Sequence, residues 1–253
     1  MAENKALVYC TNRYPLISGA DLKGCVNDLY DYQNTFAAKG FSCITLSDSM
    51  TPASRIRAEL NSLVDNSRPG DHLVIAGSSH GSYVADQNGD EVDRRDELTC
   101  TYDFPRDYIR DDELRAIFNG LPAGVTCDVF FDRCYSGTST RFMSPMHKIP
   151  VVGNRYLPFS GKPLKIGKKA VITSMKENLF SACGEGQTSA EVAVGGIPRG
   201  LFTYYVCKAL RAYPTYTRDQ IMGYVKPRVS AVVPGQVPQL ECTSANAAKL
   251  PFA

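Results

Sequence analysis

Apolar residues along this chain fall into two alternating patterns. Short, nearly unbroken apolar runs occupy residues 5–11, 41–46, 72–77, 128–132 and 170–174, with a later one near 237–242. Rich in Val, Ile and Phe, most of these read as strands buried on both faces. Between them the spacing becomes helical. Cys25, Leu29, Tyr32 and Phe36 form one amphipathic stripe, and Ile56, Leu60, Leu63 and Val64 form another. The second helix is introduced by Thr51-Pro52, which reads as an N-cap followed by proline at the first helical position. Further helices are predicted over 110–120, over 200–212 with Leu201, Tyr205, Val206 and Ala209 inward, and around 218–225. Strands alternating with helices predict an α/β/α sandwich around a mostly parallel sheet of six or more strands.

Two stretches interrupt the alternation. Residues 83–107 are polar and acidic and read as an excursion outside the sheet. Residues 138–169 are basic and loop-like, with Arg141, Lys148 and Arg155 among prolines and glycines. So long a structureless run inside a compact domain is functional or mobile. No repeat or linker is visible, so a single domain over 1–253 is expected, with no separate domain before the first strand.

Composition narrows the function classes. The chain has 253 residues, 43% hydrophobic and 21% charged, which excludes disordered, collagenous and disulfide-scaffold proteins. A net charge of +2 argues against nucleic-acid binding through bulk positive charge. No apolar run approaches the roughly 20 residues of a membrane span. Met1-Ala2-Glu3-Asn4-Lys5 lacks the basic start and apolar core of a signal peptide. A cytoplasmic monomer without membrane or nucleic-acid partners is the expectation. The 9 cysteines are scattered and contain no C-x-x-C pair, so most read as reduced, buried thiols.

Sites in open parallel sheets form beyond the carboxyl ends of the strands. Two predicted strand ends here carry reactive side chains. One runs into Ser78-Ser79-His80-Gly81, the other into Arg133-Cys134-Tyr135-Ser136-Gly137. An imidazole beside a thiol makes it a nucleophile, so Cys134 and His80 form a candidate catalytic pair. Asp132 and Cys134 project to the same side of their strand, which puts a carboxylate near the nucleophile. A carboxylate in a desolvated pocket favours Arg or Lys and disfavours Asp. Gly77-Ser78-Ser79-His80-Gly81 also fits G-x-S-x-G, which would make Ser79 a serine-hydrolase nucleophile. That fold needs a downstream acid and histidine, and only His147 follows.

His80-Gly81 and Asp132-Arg133-Cys134-Tyr135-Ser136-Gly137, each after an apolar strand, resemble the paired signature of the caspase-like cysteine peptidases, in the version of the metacaspases and their bacterial relatives. Gly24-Cys25-Val26-Asn27-Asp28, Gln187-Thr188-Ser189-Ala190-Glu191, Gly200-Leu201-Phe202-Thr203-Tyr204 and Pro238-Gln239-Leu240 extend the likeness in order over residues 5–243. The resemblance implies that His80 is the general base and Cys134 the nucleophile. Gly81 and Cys134 would supply oxyanion-binding N–H groups. Asp28, Ser78 and Asp132 would line a pocket for Arg or Lys before the scissile bond. It implies a large-subunit-like region over about 1–140 and a small-subunit-like one over 170–253, with self-cleavage candidates Arg141, Lys148 and Arg155 in the basic stretch between. No cofactor is obligatory. Activating calcium is a further expectation, through Asp111 and Asp112, although Thr140-Arg141 stand where the family often has another aspartate. The alternative to a peptidase is a catalytically silent caspase-like binding protein.

Overall fold

A computed structural model describes residues 2–85, 95–134, 149–159, 175–184 and 186–252. The chain runs through β1 (Asn4–Cys10), α1 (Cys25–Ala37), β2 (Ser42–Ser47), α2 (Ala53–Asp65) and β3 (His72–Ser78). It continues with β4 (Gly81–Ala85), β5 (Arg95–Cys100), β6 (Tyr108–Arg110), α3 (Asp111–Asn119) and β7 (Thr126–Asp132). The remainder forms β8 (Val151–Asn154), β9 (Asn178–Ser181), β10 (Ala190–Val194), β11 (Ile197–Gly200), α4 (Leu201–Ala212), α5 (Arg218–Val232), β12 (Gln239–Glu241) and α6 (Ser244–Ala247).

The main sheet has the order β12-β9-β7-β3-β1-β2, and only β12 runs antiparallel to its neighbour. Successive strand residues point to opposite faces, and both faces are apolar. Leu7, Leu73, Ile75, Val129 and Phe131 meet Ile56 and Leu60 of α2 and Phe118 of α3. Ala6, Val8, Val74, Ala76 and Phe130 meet Leu29, Tyr32 and Phe36 of α1 and the inner faces of α4 and α5. The result is the expected α/β/α sandwich. Asp128 on β7 is fully buried and is held by Arg218 of α5, at 2.5 Å from Nε and 2.9 Å from Nη2. Its Oδ2 also accepts the N–H of Phe252, whose ring packs between Phe36 and Phe41. Among the described residues no helix is long and apolar enough to cross a membrane.

Several local expectations change. Pro52 is extended, and α2 starts one residue later, because Asp103 from a distant loop caps the N–H of Ala53. Helix α5 continues through Pro227 to Val232, since Val229 and Val232 are buried and their packing outweighs one lost backbone bond. The expected strand at 170–174 lies outside the described residues, and the strand beside β7 is β9. The acidic excursion carries part of β4 and all of β5, which form a separate antiparallel sheet with β6 just after it. The basic stretch is not structureless over residues 149–159, because β8 pairs with β10 in a second small sheet, β11-β10-β8.

Candidate active site

Strands β3 and β7 are parallel neighbours, with Ser78 opposite Asp132. His80 and Cys134 each stand two residues past that pair, so the topology sets them side by side at the carboxyl edge of the sheet. Gly81 packs directly on Cys134: a Cβ added there would sit 1.7 Å from the Cys134 carbonyl oxygen, so only glycine permits this approach.

The imidazole of His80 is fixed from three sides. Its Nε2 donates to the carbonyl of Ala20 at 2.8 Å, its backbone N–H donates to the Tyr14 hydroxyl, and the Tyr14 ring lies 4.9 Å away. With Nε2 committed to a carbonyl, Nδ1 carries the lone pair. Nδ1 is buried, makes no well-formed hydrogen bond and lies beside the backbone of Arg155. Burial pushes the ring down to about 4, so it is neutral at neutral pH. Past the end of β7, Cys134 Sγ accepts the N–H of Ser189 and its thiol donates to the Ser189 carbonyl at 3.2 Å. Burial pushes the thiols of Cys10, Cys25, Cys100 and Cys127 well up, which leaves them inert.

The pocket beside Cys134 is filled by the chain itself. Arg155, at the end of β8, has a fully buried side chain. Its Nη2 lies 2.5 Å from Asp28 Oδ2 and 3.4 Å from Glu191 Oε1. Its Nη1 donates to Ser78 Oγ at 2.6 Å and lies 3.1 Å from both the carbonyl and Oδ1 of Asp132. Burial alone would lower the guanidinium, but Asp132, Asp28 and Glu191 hold it well above its ordinary value. Burial raises the Asp28 carboxyl in spite of Arg155, since three carboxylates surround one cation. The backbone of Arg155 is held just as closely. Its carbonyl accepts the N–H of Gly81 at 2.8 Å and of Cys134 at 3.4 Å, and its N–H donates to Ser189.

The structure thus gathers His80, Cys134, Gly81, Asp28, Ser78 and Asp132 around one residue. Arg155, expected in a loop-like basic stretch, is buried and ion-paired. Arg141 and Lys148 lie outside the described residues. Sequence reasoning also missed the acid Glu191, the carbonyl of Ala20, and Ser189 and Thr203, whose hydroxyls hold the two oxygens of Asp132. Gly200 closes the pocket wall, and a Cβ there would come within 2.1 Å of Asp132 and 2.6 Å of Arg155.

Other candidates gain less. Ser79 is buried and its hydroxyl donates to the His80 carbonyl at 2.9 Å, not to an imidazole. Asp111 and Asp112 open α3, and Asp111 pairs with Arg115 at 3.4 Å. Among the described residues no three acidic, His or Cys side chains converge to hold a metal ion. Two adjacent aspartates supply fewer than the six to eight oxygens of a calcium shell, and residues 86–94, which carry further acidic side chains, lie outside the described residues.

The lowered His80 value sets a sign for pH dependence. Between 6.5 and about 4 the unfolded chain binds a proton that the folded chain does not, so stability falls as pH falls through that window. In a Cys134→Ala background, urea midpoints measured from pH 7 to 4 are expected to drop more steeply with His80 present than in His80→Gln. Parallel curves would remove the burial argument.

Comparison with known proteins agrees with the geometry. Residues 3–249 match the family model of the caspase domain. Metacaspase-1 of Mycosarcoma maydis is 26% identical over 94% of this chain and 70% of its own length. Metacaspase-1 of Arabidopsis thaliana is 34% identical over 75% of this chain and 54% of its own length. The chain therefore spans about half to 70% of these relatives. Among solved structures, a Geobacter sulfurreducens protein superposes with a TM-score of 0.74 at 23% identity, covering 99% of this chain and 98% of that one. Caspase-1 of Spodoptera frugiperda gives 0.65 at 14% identity, covering 95% and 86%. These two share the fold. Sequence and topology agree, and the chain belongs to the caspase-domain family.

Proposed function

We propose that this chain is an endopeptidase that cleaves after Arg or Lys using Cys134 and His80, and that the bond between Arg155 and Tyr156 is its own first substrate. One observation carries the reading: Arg155 has its guanidinium among Asp28, Ser78 and Asp132 while its carbonyl oxygen sits between the N–H groups of Gly81 and Cys134. A residue before a scissile bond needs both anchors at once.

The chemistry follows from those positions. His80 Nδ1 takes the thiol proton and Cys134 Sγ attacks the Arg carbonyl carbon. The N–H groups of Gly81 and Cys134 bind the oxyanion as it forms. Collapse breaks the C–N bond, and His80 returns the proton to the leaving amine. Water then hydrolyses the thioester, activated by the same imidazole. A cleft of about 240 Å³ between β8 and residues 19–23 reaches His80 and gives that water a route. While Arg155 stays in place, no second arginine fits the pocket, so the uncut chain is expected to be closed to other substrates.

The test is a panel of quenched peptides with Arg, Lys or Asp before the cleaved bond, run alongside intact-mass measurement of the chain. Turnover of the Arg and Lys peptides is expected, with a self-generated fragment ending at Arg155. Rapid cleavage after Asp would overturn the pocket assignment, and a chain cut only elsewhere would remove the role given to Arg155.

A further inference from the structure

The segment that enters the site does not stop at Arg155. Tyr156 forms a parallel bridge with Gly81, and the N–H of Leu157 donates to the Gly81 carbonyl at 3.0 Å. Gly81 therefore grips both sides of the 155–156 bond, its N–H on the arginine carbonyl and its carbonyl on the second residue beyond. The side chains are held as well. The Tyr156 ring stacks on Tyr83, with centroids 6.1 Å apart and planes inclined by 25°, and Leu157 is buried.

Tyr83 stands two residues beyond Gly81 on β4, so both project to the same face. Its backbone is locked by pairing with β5, where Glu97 lies directly opposite. Cross-strand partners share a face, so a carboxylate neighbours the ring. This is a platform on a paired strand, aromatic in the middle and acidic at its edge.

We propose that Tyr83 is the specificity-determining residue for the position just after the scissile bond, selecting an aromatic side chain there and rejecting an acidic one. The substrate class becomes peptides in which Arg is followed by an aromatic and then an apolar residue. The proposal rests on the reading of Arg155 as the residue before the cleaved bond. Ring stacking accounts for the attraction, and an acidic side chain, which offers no ring to stack and would stand near the Glu97 carboxylate, is disfavoured.

The experiment uses three quenched peptides, Val-Gly-Asn-Arg-Xaa-Leu with Xaa as Tyr, Ala or Asp, and the full-length wild type, Tyr83→Ala and Tyr83→Phe. In the wild type kcat/KM should be about three- to tenfold higher for Tyr than for Ala, and lowest for Asp. The Tyr-to-Ala ratio should fall to about one in Tyr83→Ala and survive in Tyr83→Phe. Ratios within one preparation do not depend on the folded fraction, so a poorly folding variant still reports. A wild-type ratio near one, or a ratio that persists in Tyr83→Ala, overturns the proposal while leaving cleavage after Arg intact. If none of the peptides is cut by a chain whose 155–156 bond is already broken, the assignment of Cys134 and Arg155 fails and the role of Tyr83 falls with it.

Discussion

Replacing Cys134 by Ala is expected to abolish turnover of Arg peptides, by at least about a thousandfold, and to leave the chain uncut after Arg155. Among the described residues no other group near the bond supplies a nucleophile. Ser79 is turned to a backbone carbonyl, burial pushes the thiols of Cys10, Cys25 and Cys100 well up, and Cys183 is pushed up by its hydrogen bond with Cys134 and by burial. The substitution removes one sulfur from a close-packed edge and leaves the two oxyanion N–H groups untouched, so folding and Arg155 binding should persist. Retained cleavage after Arg in this variant, followed by mass spectrometry and peptide hydrolysis, would sink the mechanism.

Arg155→Ala should have the second largest effect, and in two opposite directions. Self-cleavage at that position disappears. Hydrolysis of added Arg peptides, in contrast, should begin without delay, whereas the wild-type chain should show a lag that shortens as the 155–156 bond is cut. The energetics favour opening. Removing one partner of a buried ion pair costs about 3–5 kcal/mol, and here Asp28, Asp132 and Glu191 are all buried. Releasing β8 from β10 lets water reach those carboxylates at the expense of a short strand, which is cheaper than unfolding the sandwich. Arg155→Lys should keep one cation in the pocket and retain a lag. A wild-type chain that hydrolyses peptides at full rate while its bond is intact would contradict the closed state.

How far these features were visible beforehand depends on the range of the interactions. Strands β1, β3 and β7 are legible because burial on both faces writes an apolar run into consecutive residues. The pairing of His80 with Cys134 is legible because both follow such runs. Strand β8 is not, for its four residues are stabilised by partners on β10, roughly 40 positions away. Arg155 looks like a solvated base until its contact with Asp28, 127 residues distant, is known. Ala20 contributes only a backbone carbonyl and leaves no mark in residue type. Glu191 lay within a segment matched to the family, yet nothing local indicated that its carboxylate turns toward the pocket.

The tie between Asp128 and Arg218 acquires a different meaning once the 155–156 bond is broken. It then joins two separate polypeptides, as do the β7–β9 pairing and the seat of Phe252 among Phe36 and Phe41. A molecule processed at that bond would be a heterodimer that shares one sheet, and its melting temperature would depend on protein concentration in a way that the uncut chain's does not.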